Sequence, residues 1–331
     1  MYFPFSGLEY SPVIIVLWGI VVGYVFSTVG AAGAILTMIG QTTIFKIDQA
    51  LIKTFIGQGM EEVAASKAAA GSVKVHQLMA VMLAPFIAVP KYLKERRIAI
   101  PLALCVGGGA ILGALIGPAI PMTMAQYKFW FGVVVFLIGL RLVYETTPRF
   151  LAGKQKLAAL NKSFENKVVE LRKTGNWEEL AEAGYKLNKF TIGEMSFTFW
   201  GEEFVISPIV AAIGGALIAI IASMFGLGGG FLFVPYLSSI FMLPMFIVSS
   251  TSITIVFITS LTGAFGYIAR GAIIDWLFIG VLLVGVAIGS YIGPLTQKYY
   301  KEKYLRWLIA AILIFYGARF AGIWAALGWN V

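Results

Sequence analysis

The chain is expected to be an all-α polytopic membrane protein made of two inverted repeats, each a glycine-broken helix hairpin plus three transmembrane helices. Three observations predict it. Hydrophobic residues make up 59% of the 331 positions and charged residues 12%, with a mean hydropathy of +0.87; a soluble chain needs roughly twice that charge to cover its surface. Two long uncharged runs, 13–45 and 209–246, are interrupted at matching places, by Gly30-Ala31-Ala32-Gly33 and by Gly226-Leu227-Gly228-Gly229-Gly230 with Pro235 beyond. Basic residues gather in three segments, 91–97, the stretch after Arg141, and 298–303.

The glycine breaks carry the most information. An interior glycine costs a helix about 1 kcal/mol relative to alanine, and a proline about 3 kcal/mol. Non-helical backbone at membrane depth survives only where it is buried in protein or lines a cavity. A run of about 33 residues would be ~50 Å long as one helix, too long for a single ~30 Å crossing, and fits two shorter arms.

In order, residues 1–12 lack the basic region and small-residue cleavage site of a signal peptide, so the first apolar run is expected to be retained. After the 13–45 run, the mixed segment 47–62 reads as an interfacial helix or loop. Segment 63–89, interrupted by Lys67, Lys74 and His76, is a span, followed by spans at 98–120 and 129–144. Residues 1–144 form the first repeat and 208–331 the second, with spans at 247–268, 273–295 and 305–326 after the broken run. Between them, 145–207 is a water-facing insert: helical periodicity at 157–173, continuing through 177–187, then hairpin-like alternation at 189–206.

The halves align weakly but consistently. The glycine turns lie 226 − 30 = 196 residues apart, Gly113 and Gly289 lie 289 − 113 = 176 apart, and Arg141 and Arg319 lie 319 − 141 = 178 apart. If each broken run doubles back, all three basic segments share one face, which the positive-inside rule makes cytoplasmic. The halves are then inverted, and the insert 145–207 is cytoplasmic.

At a glycine turn between half-helices, free N–H groups and the positive end of the next helix favour an anion. Gly226, Gly228, Gly229 and Gly230 are candidates, with Gly30 and Gly33 as their weaker counterparts; tight packing through small residues is the alternative. Lys67 and Lys74, seven apart, share one helix face, and an ionisable residue inside a span is a functional candidate. His76 points to the opposite side and suits a neutral hydrogen bond between helices. Ser72, Ser250, Thr251 and Ser252 are candidate hydroxyl donors, although such hydroxyls also bond back to their own helix. One cysteine, Cys105, and one histidine exclude disulfide frameworks and multi-residue metal sites built on those side chains. No catalytic residues, cofactor or metal are expected, and the net charge of +9 is read as topology rather than nucleic-acid binding. Asp275-Trp276 reads as the interfacial start of a helix.

The string GLGGGFLFVP at 226–235, with STS at 250–252 and GAIIDW at 271–276, resembles the TauE/SafE sulfite exporter family over most of the chain outside the insert. The first half departs from the pattern, with GAAGA at 30–34 and Ile39 where Pro235 predicts a proline. The resemblance implies a non-enzymatic secondary transporter of a small sulfur-containing anion (sulfite, a sulfonate such as sulfoacetate, or thiosulfate) in the cell inner membrane, working by alternating access without an ATP-binding domain. Its expected partners are the anion, the lipid bilayer and a coupling proton or sodium ion, and a homodimer is compatible with it. A passive anion channel using the same turns is the alternative, which reversal-potential recordings separate from a coupled carrier.

Overall fold

The computed structural model describes residues 1–3, 7–29, 32–94, 98–147, 185–199, 201–296 and 302–327. A two-stranded ribbon, β1 (Tyr2–Phe3) and β2 (Leu8–Glu9), precedes α1 (Pro12–Val29) and α2 (Gly33–Ile39). Then follow α3 (Ile47–Gly57), α4 (Glu62–Lys94), α5 (Ile100–Ile116) and α6 (Met124–Glu145). Strands β3 (Tyr185–Phe190), β4 (Met195–Phe199) and β5 (Glu202–Ile206) form an antiparallel meander. The second half holds α7 (Pro208–Met224), α8 (Gly230–Pro235), α9 (Met245–Ile268), α10 (Trp276–Thr296), α11 (Glu302–Phe320) and α12 (Ile323–Ala326). Among the described residues, five helices are long and apolar enough to cross a membrane: α4, α5 with its following turn, α6, α9 and α10.

Both broken runs double back. Trp18 donates its indole N–H to the Leu36 carbonyl at 3.2 Å, although eighteen residues of continuous helix would part them by about 27 Å. The Tyr236 hydroxyl likewise donates to the Val210 carbonyl at 2.6 Å. Each returning arm then loosens into a π-helical turn, Gly40–Ile44 after α2 and Tyr236–Ile240 after α8. The two π turns keep the offset of the glycine turns, 236 − 40 = 196.

The fall in offset from 196 to 176 has a structural cause. The first half places α3 between its hairpin and α4, whereas the second runs from the π turn into α9 across a few residues. Asp48, in the first turn of α3, is buried and pairs with Lys128 of α6 at 2.6 Å.

The halves exchange contacts. The outgoing arm α1 packs on α10, α7 packs on α5, α4 meets α9, and α6 meets α11. Small residues permit this closeness. Gly109, Gly113 and Gly117 of the α5 segment lie against Ala212, Ala216 and Ser223 of α7. Gly285, Gly289 and Gly293 lie against Val16, Ile20 and Ser27 of α1. Every glycine in the second set is 176 after its counterpart, and every α7 partner is 196 after its α1 counterpart.

The chain is mostly helical, consistent with the all-α membrane fold expected. One expectation for the insert is corrected: where the helical style is expected to continue through 187, residues from Tyr185 are strand. Tyr185 and Leu187 pair with Phe199 and Phe197, whose side chains are buried, and this cross-strand packing outweighs the local pattern. The hairpin expected at 189–206 is part of a three-stranded meander. The periodic stretch 157–173, residues 95–97 of the first basic segment and most of 298–303 lie outside the described residues.

Candidate functional site

The second glycine turn rests on the middle of α4. Gly226 has φ +70°, and a Cβ there would lie 3.2 Å from the Lys74 Cα and run into Gln77 Oε1. Both the left-handed backbone and the close approach call for glycine. Gly229, with φ +87°, is the residue from which α8 starts. Gly228 stands farther along the same side, against Val81 and the hydroxyl of Ser260.

The outgoing carbonyls of this turn are held by two tyrosines. The Tyr127 hydroxyl of α6 reaches Phe225 O at 3.2 Å and Gln77 Oε1 at 2.8 Å. The Tyr267 hydroxyl of α9 reaches Ser223 O at 3.0 Å and Met224 O at 3.2 Å. Lys74, only 2% exposed, places its Nζ over the same two rings, 4.6 Å from the Tyr127 centroid and 5.5 Å from that of Tyr267. Cation–π contact of this kind is worth about 0.5–2 kcal/mol, which helps to hold a lysine at mid-span. Among the described residues Lys74 pairs with no carboxylate.

Gln77 joins the two hairpins. Its Nε2 donates to the Ala34 carbonyl in the first turn of α2 at 3.4 Å, while its Oε1 lies at Gly226. Among the described residues no backbone carbonyl accepts from the N–H groups of Gly228 or Gly229, and the buried Ser260 Oγ has no partner. These donors and Lys74 lie along about 10 Å of α4, close to the first turn of α2 that Gln77 reaches. Such an arrangement can hold an anion with one cationic side chain and several neutral donors.

The sequence candidates distribute unevenly. Gly226 meets Lys74, Gly228 and Gly229 continue the same turn, and Gly230 opens α8; Gly33 starts α2, where a Cβ would run into Phe26. Gly30 lies outside the described residues. Lys67 is exposed near the start of α4, beside Ser66, which accepts from the Met124 N–H at 2.9 Å. Ser72 accepts from the Ile273 N–H at 3.0 Å, and Thr251 accepts from the Ala99 N–H at 3.2 Å. Ser250 and Ser252 bond back to Ile247 and Ser249 carbonyls. These α9 hydroxyls lie about 13 Å along the helix from Ser260, which faces the turn. Sequence reasoning missed Gln77, Tyr127, Tyr267 and Ser260. Gln77 was detectable as a polar residue three after Lys74 in an apolar run.

His76 faces away from this cluster. Its Nε2 accepts from the Asp275 N–H at 3.0 Å, so Nδ1 carries the hydrogen donated to Gln41 Oε1, also at 3.0 Å. The imidazole is neutral in this arrangement, with both nitrogens used.

A family model described as Sulfite exporter TauE/SafE matches residues 14–320. The chain is also similar to the probable membrane transporter protein YunE of Bacillus subtilis (strain 168), 22% identical over 311 residues that cover 93% of this chain and 97% of that protein. No solved structure matches.

Proposed function

Because the chain belongs to the TauE/SafE sulfite exporter family, we propose that it is a secondary transporter that carries a small sulfur-containing anion across the inner membrane by alternating access. The substrate class is sulfite, a sulfonate such as sulfoacetate, or thiosulfate. Lys74 carries this reading: a buried lysine, unpaired with any carboxylate among the described residues, beside a glycine turn with unbonded N–H groups. A cation at mid-span is expensive in lipid and marks a substrate path by default. An anion between the two turns offsets that cost.

The exchange of contacts between α1·α10 and α7·α5 supports a two-fold relation between the repeats. With the hairpins doubled back, the positive-inside rule favours inverted halves and a cytoplasmic insert at 145–207. Rocking of one repeat on the other then opens the site alternately to the two faces. The test is a thermal-shift series of sulfite, sulfoacetate, taurine, thiosulfate and sulfate on the purified protein. A bound ligand at 100 times its Kd stabilises by about 2.7 kcal/mol. Stabilisation by a sulfur anion supports the assignment, and a series with no shift removes it.

A further inference from the structure

At one end of the α4–α5 pair, a cavity of about 280 Å³ lies between Leu93, Ile98, Ile100 and Tyr185. Leu93 belongs to the last turn of α4, Ile98 to the connection, Ile100 opens α5 and Tyr185 opens β3. Two membrane spans and the meander therefore bound the same space. Leu93 and Ile100 are exposed, so the cavity is open on their side. From Ile100 an exposed apolar stripe runs along one face of α5 through Leu104 and Ile111. On a span, such a face meets acyl chains.

The cavity also contains an unsatisfied donor. The Tyr185 ring rests on Phe197, with centroids 5.1 Å apart, and its backbone pairs with Phe199 in the meander. Its hydroxyl is buried and, among the described residues, has no hydrogen-bond partner. A buried hydroxyl left this way is costly. The ring is fixed by its neighbours in a place where only a further group can satisfy it.

Charge gives the sign of that group. Between the lining residues Leu93 and Ile98 the chain reads Lys94-Glu95-Arg96-Arg97, three cations against one carboxylate. In the other half Ile98 is answered by Ile274, since 274 − 98 = 176, and the equivalent connection, 269–275, holds only Arg270 and Asp275, which cancel. The junction itself does not need the extra cations. Topology accounts for the sign of a basic segment, but not for a hollow beside it with an unpaired phenol. Segment 148–184, which leads into Tyr185, has seven basic and five acidic residues, 7 − 5 = +2. It is a poor source of the counter-charge.

We propose that this cavity binds an anionic phospholipid of the bilayer. The phosphate meets the basic connection, the Tyr185 hydroxyl donates to an ester carbonyl or glycerol oxygen, and an acyl chain follows Ile100, Leu104 and Ile111. Basic pockets at the ends of membrane spans attract anionic headgroups in this way. The space falls below the about 300–1,000 Å³ of a pocket that encloses a whole small molecule. It suits the glycerol region of a lipid whose chains remain in the membrane. The lipid so held bridges β3 to the α4–α5 pair.

Native mass spectrometry of the whole protein, with phosphatidylglycerol or phosphatidylcholine added in detergent, tests the proposal. Phosphatidylglycerol is expected to bind in preference to phosphatidylcholine. Tyr185→Phe keeps the ring and removes the donor, and should weaken phosphatidylglycerol binding by about three- to tenfold. Ile100→Trp fills the space and should remove the preferred site; if that variant does not fold, Tyr185→Phe decides. Equal binding of the two lipids overturns the proposal, and so does phosphatidylglycerol binding that Tyr185→Phe leaves unchanged. Excess inorganic phosphate should not displace the lipid, since displacement would assign the place to a free anion. A photoreactive benzoylphenylalanine in place of Leu93, irradiated in native membranes, should capture phospholipid. Capture of peptide from 148–184 instead would show that the insert fills the cavity and would likewise overturn the proposal. None of these readouts uses a transported substrate, so failure of the sulfur-anion assignment leaves them interpretable.

Discussion

Trp18 lies on Gly40 across the first hairpin, and 196 residues later the contact returns with the large and small partners reversed, Gly214 against Tyr236. Each aromatic also supplies a hydrogen bond that spans its hairpin, from Trp18 to Leu36 O and from Tyr236 to Val210 O. The volume between the two arms is thus kept while the side that fills it changes.

This exchange predicts a compensating pair of substitutions. Gly40→Tyr alone drives a ring into the indole and should destabilise by about 1–3 kcal/mol. Trp18→Gly alone empties the contact and should cost about 3–5 kcal/mol. The double variant rebuilds the arrangement of the second hairpin and should unfold at a higher temperature than Trp18→Gly, as measured by thermal unfolding in one detergent. A double variant no more stable than the sum of the singles would show that the two contacts are not equivalent.

Gly226→Ala tests the close approach at α4. An L-residue at φ +70° costs about 1–2 kcal/mol, and the new methyl group also meets Gln77 Oε1 and the Lys74 backbone. The expected result is a lower unfolding temperature together with weaker stabilisation by sulfite. Gly271→Ala shares the positive φ but has open space around it. It should show the backbone penalty and keep the sulfite response.

Thr251 and Ser252 separate a structural hydroxyl from a dispensable one. Thr251→Val leaves the Ala99 N–H buried without an acceptor, at a cost of about 1–3 kcal/mol. Ser252→Ala removes only a bond back to the Ser249 carbonyl and should stay within about 0.5 kcal/mol of wild type. Unfolding temperatures of the two variants should therefore divide. Neither should lose the sulfite-induced shift, because both residues stand well away from the Gly228 turn.

The hairpins were legible because their cause is local: glycine runs cannot continue a helix, and the runs are too long for one crossing. The returning arms at Leu36 and Tyr236 lie where that reasoning puts them. The opposite facings of Lys74 and His76 were also legible, since helical geometry alone separates them. Tyr127 and Tyr267 were not, because a tyrosine near a span end carries the same local signal whether it anchors at the interface or caps carbonyls in the interior. The same holds for Ser260 and Thr251, both hydroxyls in one helix. Only the approach of Gly228 to one and of Ala99 to the other assigns them different work.

Lys74 gives the sharpest division between packing and binding. Lys74→Met keeps the aliphatic stem against Tyr127 and Tyr267 but removes the charge, so it loses a cation–π contribution of about 0.5–2 kcal/mol without opening a cavity. If Lys74 serves only the fold, Lys74→Met should remain stabilised by sulfite as wild type is. If it faces the anion, the shift should collapse toward zero while the ligand-free protein still unfolds cooperatively. Lys74→Arg retains charge but places a wider fork over the rings, and should bind with reduced affinity rather than none. Lys67→Met, on the same helix face but exposed about 10 Å away, should leave the shift unchanged. Isothermal titration of the three variants with sulfite under one salt condition distinguishes these outcomes. An unaltered Lys74→Met titration would move the anion away from α4 and leave the glycine turn to bind by its backbone alone.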